Sequence, residues 1–173
     1  HGTFYVTHAV GKKWLEHQIK GSIISILATW VWTGSPFVVP SAMSKSALNT
    51  MTKSLAVEWG PYGIRVNAIA PGPFPTEGMT ARLSPKGDMQ KDSDSTIPMG
   101  RMGEMNELQN LATFLMADGC DYLTGQTIAI DGAQYLSGGG TFSQLSKMSD
   151  DDWAEIRGMI KKTNDADKQK RST

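Results

Sequence analysis

Apolar and polar positions along the chain follow two alternating periods, and that alternation predicts the order of elements. Thr3–His17 carries Phe4, Val6, Ala9, Val10 and Trp14 at spacings that predict an opening helix. Gly21 closes the connection, and the β-branched run Ser22–Ala28 suits a central strand. Thr29–Pro40 mixes aromatic and β-branched residues but is broken by Thr33-Gly34-Ser35-Pro36, so it reads as a partly buried loop. Helical periodicity returns over 41–59, where Leu48, Met51, Leu55 and Trp59 form one stripe. Gly60 and Pro61 stop that helix. Ile64–Ala70 is short and mostly apolar, as a strand covered on both faces requires.

Beyond Pro73 the pattern loosens. Thr76–Leu83 reads as a short helix carrying Met79 and Leu83. Ser84–Pro98 is polar and turn-rich, either a segment over a site or a solvated surface loop. Glu104–Ala117 predicts a helix with Leu108, Leu111, Ala112 and Leu115 inward, and Gln126–Asp131 predicts another short strand. Gly138-Gly139-Gly140 marks a flexible junction. Ser149–Asp152 can cap a last helix that ends near Lys162, leaving a polar, frayed tail.

Helix, strand, helix, strand is the order of a parallel α/β sheet with right-handed crossovers. Ligands of such sheets bind beyond the carboxyl ends of the strands, which here is Ala70-Pro71-Gly72-Pro73. Ser41 and Lys45 are four apart and therefore share one helix face, so a site would lie between that face and the turn. On spacing alone, a capping serine and a solvated lysine explain the pair more simply.

Composition narrows the classes. The 173 residues suffice for one substantial core. Lys and Arg total 17 and Asp and Glu total 17, so no net field draws the chain to nucleic acid or an anionic membrane. No apolar run approaches the roughly 20 residues of a membrane span. Cys120 is the single cysteine, which excludes an intramolecular disulfide and suits a reducing, cytoplasmic compartment. His1, His8 and His17 lie in the first helix region away from any metal-ligand spacing, so they read as surface or packing residues and no metal site is expected. The chain enters helical periodicity at once, without a preceding strand or start methionine, as if part-way through a fold. A spaced glycine-rich phosphate turn is missing, and Gly138–Gly140 lacks the strand-turn-helix context to replace it.

The stretch SAMSKSALNTMTKSLAVEWGPYGIRVNAIAPGP strongly resembles the second half of a short-chain dehydrogenase/reductase. Met102-Gly103 with Glu107, and Leu123-Thr124-Gly125-Gln126 running to Asp131-Gly132, extend the resemblance over nearly the whole chain. Most members of that family carry tyrosine four residues before the lysine. Ser41 at that place, Phe37-Val38-Val39-Pro40, Thr76-x-Gly78, Leu83–Gly87, Pro98–Arg101 and the Trp153 helix resemble the 2,4-dienoyl-CoA reductase branch. The tyrosine of that branch aligns with Trp30, and the usual Ser/Thr ending the preceding strand aligns with Ala28.

The resemblance implies an α/β fold, a Rossmann-like doubly wound parallel sheet, incomplete because its N-terminal dinucleotide-binding half is absent. Residues 1–148 would be the C-terminal part of one reductase domain, 149–163 its last helix and 164–173 a polar tail. Lys45 would hold the nicotinamide ribose of NADPH, and Ser41 would orient substrate or cofactor. Pro71, Gly72, Pro73 and Thr76 would line the cofactor path. Trp30, Phe37, Met79 and Leu83 would meet the substrate, with Trp30 offering its indole N–H. The implied reaction is reduction of a 2,4-dienoyl-CoA, or an enoyl thioester, to a monoenoyl-CoA. A non-catalytic acyl-thioester-binding or structural member is the alternative, and a 3-ketoacyl reductase a further one. The implied partners are a fatty acyl-CoA and further copies of the chain, as a homo-tetramer or homodimer.

Overall fold

The computed structural model describes residues 1–76 and 95–171. Three parallel strands, β1 (Gly21–Ile26), β2 (Ile64–Pro71) and β3 (Thr127–Ile130), form a sheet in the order β1-β2-β3. Gly21 lies opposite Ile64 and Ile26 opposite Ile69, while Ala68 lies opposite Thr127 and Pro71 opposite Ile130. The helices are α1 (Gly2–Glu16), α2 (Trp30–Thr33), α3 (Val39–Trp59), α4 (Met105–Met116), α5 (Gln134–Ser137) and α6 (Asp150–Arg171). This is an open, incomplete Rossmann-like sheet. The described residues divide into two units, His1–Ser137 and Gly138–Thr173, with the three glycines at the division. Neither unit has, among its described residues, a helix long and apolar enough to cross a membrane.

The apolar run of β2 is buried from Ile64 to Ala70, as its composition requires of a central strand. The β-branched run of β1 reads equally as central, but it occupies an edge of the described sheet and leaves Ile26 exposed. Strand propensity reports a fit to a pleated, half-buried surface and says nothing of how many neighbours a strand has. Thr29–Pro40, read as a loop, contains the single turn α2.

Helix packing departs from the simple apolar stripes. α1 buries Thr7 and Gly11 and packs Trp14 and Leu15 against the core, leaving Phe4 and Val6 exposed. A Cβ on Gly11 would come within 2.2 Å of the Trp59 ring, so glycine is what allows α1 to lie against α3. The buried positions of α3 are Asn49, Thr52, Ala56 and Trp59, and Leu48 and Leu55 of the apolar stripe pack partly buried beside them. Two of those positions are polar and each is satisfied. Thr52 Oγ1 donates to the Leu48 carbonyl at 2.9 Å, and Asn49 Oδ1 accepts from Thr127 Oγ1 at 2.7 Å. Buried polar groups persist where they are paired in this way.

β2 also anchors the elements after it in the chain. Arg65 sends Nη1 to the Leu115 carbonyl at 2.8 Å and Nη2 to the Ala117 carbonyl at 3.0 Å. A guanidinium there satisfies the end of α4 and complements its dipole. Asn67, wholly buried, donates Nδ2–H to the Leu123 carbonyl at 2.8 Å and accepts Gln126 N–H at 3.0 Å. Those two bonds hold the turn that starts β3.

In the second unit, Ser149 and Asp152 cap α6 reciprocally. Asp152 Oδ2 accepts from Ser149 N and Oγ, and Asp152 N–H donates to Ser149 Oγ at 3.2 Å. The helix does not stop near Lys162 but runs through the polar stretch to Arg171. Lys168, Lys170 and Arg171 in its last turn favour that extension by opposing the dipole.

Candidate active site

The strands end where the sequence places the candidate residues. β1 gives way to buried Leu27 and Ala28, and Leu27 N–H donates to the Ile69 carbonyl at 2.7 Å. Beneath this end lies a small cluster of Leu27, Ala68 and Ala70, with Val31 and Leu48 against it. Leu48 belongs to α3, so the cluster turns the first half of that helix toward the mouth of the sheet. Lys45 takes its position from this packing: its Nζ donates to the Ile26 carbonyl at 2.6 Å. Ser41 is half-buried one turn earlier on the same helix. Of the predicted Ser41/Lys45 face, Lys45 thus reaches the carboxyl end of β1.

Trp30 opens α2 just past β1. Its indole N–H is buried and, among the described residues, has no hydrogen-bond partner. A shielded, unpaired donor of this kind costs about 1–3 kcal/mol, so an acceptor brought to it would be bound favourably. Phe37 is not gathered with these residues; it is fully exposed at a φ of +63°. Met79 and Leu83 lie outside the described residues.

Pro71, Gly72 and Pro73 are half-buried at the end of β2, and Thr76 is exposed beyond them. Gly72 N–H donates to the Ile130 carbonyl at 2.9 Å. A Cβ on Gly72 would lie 2.6 Å from Asp131 Cβ, so the turn is pressed against the end of β3 by the lack of a side chain. Gly103 N–H donates to the Pro73 carbonyl at 3.0 Å, and its Cα faces the Phe74 ring. The pocket here, lined by Phe74, Ile97, Met99 and Arg101 among others, has a volume of about 60 Å³, room for a water or two and not for an acyl chain. It braces the turn.

That brace includes an ion pair which sequence reasoning reached only in part. Arg101 Nη1 and Nη2 donate to Glu107 Oε2 and Oε1 at 2.9 and 2.7 Å, and Glu104 N–H donates to Oε2 at 2.8 Å. The Glu104-x-x-Glu107 spacing is the available signal, since a glutamate three residues into a helix reaches back to the capping residue. Arg101 and the Glu104 N–H together hold the Glu107 carboxyl down at about 2. A depressed carboxyl contributes stability above its ordinary value of 4.5 and loses it as pH falls through about 2. In a carbon-detected NMR titration, Glu107 should therefore have its midpoint near 2, and Arg101→Leu should return it toward the ordinary value. A wild-type midpoint near 4.5 would show that the pair does not form in solution.

Among the described residues no group of His, Cys, Asp and Glu could hold a metal ion. The chemistry on offer is an ammonium, a hydroxyl and an indole N–H at the mouth of a parallel sheet. Such a set can position a hydroxylated ligand and stabilise negative charge on an oxygen.

The family model described as Enoyl-(Acyl carrier protein) reductase matches residues 1–133. The Caenorhabditis elegans protein "Probable 2,4-dienoyl-CoA reductase decr-1.2" is 44% identical over 135 residues, which are 77% of this chain and 44% of that one. The crystal structure of a short chain dehydrogenase from Bacillus anthracis is 43% identical, with a TM-score of 0.68 over 78% of this chain and 51% of its own. A gluconate 5-dehydrogenase from Burkholderia cenocepacia, in complex with NADP and tartrate, is 32% identical, with a TM-score of 0.70 over 77% and 51% of the two chains. The chain spans about half the length of the curated relatives it matches. With a matched family model over most of its length and the same open parallel sheet behind the Ser41/Lys45 face, the chain belongs to the short-chain dehydrogenase/reductase superfamily.

Proposed function

We propose that the full-length protein is an NADPH-dependent oxidoreductase that reduces a conjugated 2,4-dienoyl-CoA, or a related enoyl thioester, to a monoenoyl-CoA. The observation that carries this reading is the α3 face itself: Lys45 stands at the end of β1 with Ser41, not a phenol, one turn before it. A serine hydroxyl is too weak an acid to protonate a carbonyl oxygen during ketone reduction. Conjugate reduction asks less, because the thioester oxygen needs only to be held while enolate charge develops on it. The dienoyl-CoA reductase at 44% identity supports the same choice.

The residues present fit part of a nicotinamide site. Lys45 is already held at the sheet mouth, and Pro71, Gly72, Pro73 and Thr76 continue from the strand whose carboxyl end faces it. NADPH, when bound, supplies the hydride. Lys45 offers its ammonium to ribose hydroxyls, and Ser41 orients the substrate. The unpaired Trp30 N–H is a donor for the thioester oxygen. Met79 and Leu83 belong to the acyl side of the site in this reading, and the remaining half of the dinucleotide site lies in residues this chain does not contain. The chain alone would then be inactive, residues 1–163 would belong to one reductase domain, and the working protein would be a cytoplasmic homo-tetramer or homodimer.

A second reading has an observation in its favour: the Trp30 N–H is shielded, and Ala28 carries no hydroxyl at the strand end. A non-catalytic member that only binds acyl thioesters would have this pattern. NADPH consumption by the full-length protein separates the readings. Turnover is expected with 2,4-dienoyl-CoA and not with 3-ketoacyl-CoA. Faster turnover of the ketoacyl thioester would overturn the proposal, and thioester binding without any turnover would favour the second reading.

A further inference from the structure

One aromatic contact links elements that are distant in sequence and adjacent to this site. Trp32 of α2 and Tyr135 of α5 stack with ring centroids 4.9 Å apart and planes 29° from parallel. α2 comes after β1 and α5 after β3, the two outer strands of the described sheet, so the stacked pair passes the carboxyl end of β2 between them. The Pro71–Pro73 turn begins at that end, and Lys45 is bonded to the last carbonyl of β1 beside it. Trp32 lies two residues after Trp30, on the same helical turn as the unpaired indole N–H.

The pair is held from the Tyr135 side. Asp131 Oδ1 accepts Ala133 N–H at 3.0 Å and Oδ2 accepts Tyr135 N–H at 2.9 Å. Ala133 takes a left-handed φ of +68° to make that turn, a conformation unfavourable for a residue with a side chain. Tyr135 is half-buried, while Trp32 keeps 40% of its surface exposed, so one ring of a fixed stack remains open beside the site. Neither ring is charged. Flat π surfaces favour an offset, parallel neighbour over a saturated chain of equal area.

We propose that the Trp32–Tyr135 stack is the wall against which the flat, conjugated part of the acyl thioester lies, and that it sets the preference for conjugated over saturated chains. The inference rests on the reading of the site as a thioester reductase. It assigns to Trp32 and Tyr135 a specificity role separate from the cofactor anchor at Lys45.

The test is equilibrium binding to the full-length protein, measured by calorimetry with 2,4-hexadienoyl-CoA, hexanoyl-CoA and NADP as separate probes. Wild type should bind the hexadienoyl thioester about 10-fold more tightly than the hexanoyl one. Trp32→Leu with Tyr135→Leu should bring that ratio close to one and leave NADP binding unchanged. Trp32→Phe and Tyr135→Phe, which keep the stack, should retain most of the preference. Should the double variant fail to fold, Trp32→Leu alone, at the exposed ring, is expected to reduce the ratio about 3-fold. A preference that survives removal of the exposed ring overturns the wall, as does a weakening of NADP binding that matches the thioester loss. Ring-dependent preference in a protein that never consumes NADPH would keep the wall and sink the reductase reading. NADPH consumption with a ring-independent preference would do the reverse, and a wild type that binds neither thioester contradicts both.

Discussion

Replacing Lys45 by methionine in the full-length protein is expected to lower kcat/KM for NADPH-dependent turnover by about 100-fold or more. The lysine ammonium is held at 2.6 Å from the Ile26 carbonyl, so it is poised at the sheet mouth without help from a ligand. Methionine keeps most of the stem's packing and removes only the charged head. One hydrogen bond to a surface carbonyl is worth about 1 kcal/mol, so the melting temperature should move by a few degrees at most. NADPH affinity should fall along with turnover. Lys45→Arg is not expected to rescue, because a planar fork cannot take the place of a compact ammonium in a bond this short. If the methionine variant keeps turnover within about 3-fold of wild type, Lys45 is a surface lysine after all.

The second large effect is structural. Asn67→Leu should destabilise the fold by about 2–4 kcal/mol, read as a fall in the urea midpoint with the slope unchanged. Asn67 is wholly buried in the central strand and pairs with both Leu123 O and Gln126 N. Leucine is close in volume, so the loss comes from two backbone groups left without partners and not from a cavity. β3 starts at the turn they hold, and Gly72 bonds to Ile130 at its far end. The same substitution should therefore weaken the site's floor, and turnover per folded molecule should fall as well. A change under 0.5 kcal/mol would mean that the bonds of Thr124 and Gly125 to Val66, with the Ala68 N–H bond to the Gln126 carbonyl, suffice to hold the Leu123–Gln126 turn.

Asn67 also shows what the sequence could have yielded and did not. A lone amide within Ile64–Ala70 has to be paired if the strand is buried on both faces, and that argument needs no structure. The long helix before it was legible because Pro40, Gly60 and Pro61 mark its ends and the apolar spacing fills its length. The apolar stripe of α3 does reach the core through Leu48, Leu55 and Trp59, but the polar positions buried beside it were not legible. Thr52 bonds back to its own helix and Asn49 bonds to Thr127, seventy-eight residues away, so the innermost stripe carries polar side chains. Gly11 likewise reads as a weak point in a helix until Trp59 is seen against it. In the candidate site, spacing put Ser41 and Lys45 on one helix face and the strand end located the Pro71–Pro73 turn, while their roles came only from the family resemblance. The Trp32–Tyr135 stack was not, since strand order alone brings those two turns together.

In the proposed reaction, hydride reaches a conjugated carbon chain and not a ketone. Turnover of 2,4-dienoyl-CoA by the full-length protein with NADPH deuterated at the transferable position, followed by NMR of the product, tests it most directly. One deuterium is expected on the far carbon of the former diene in a monoenoyl-CoA. Deuterium found only on a hydroxyl-bearing carbon, in a parallel reaction with 3-ketoacyl-CoA, would contradict it.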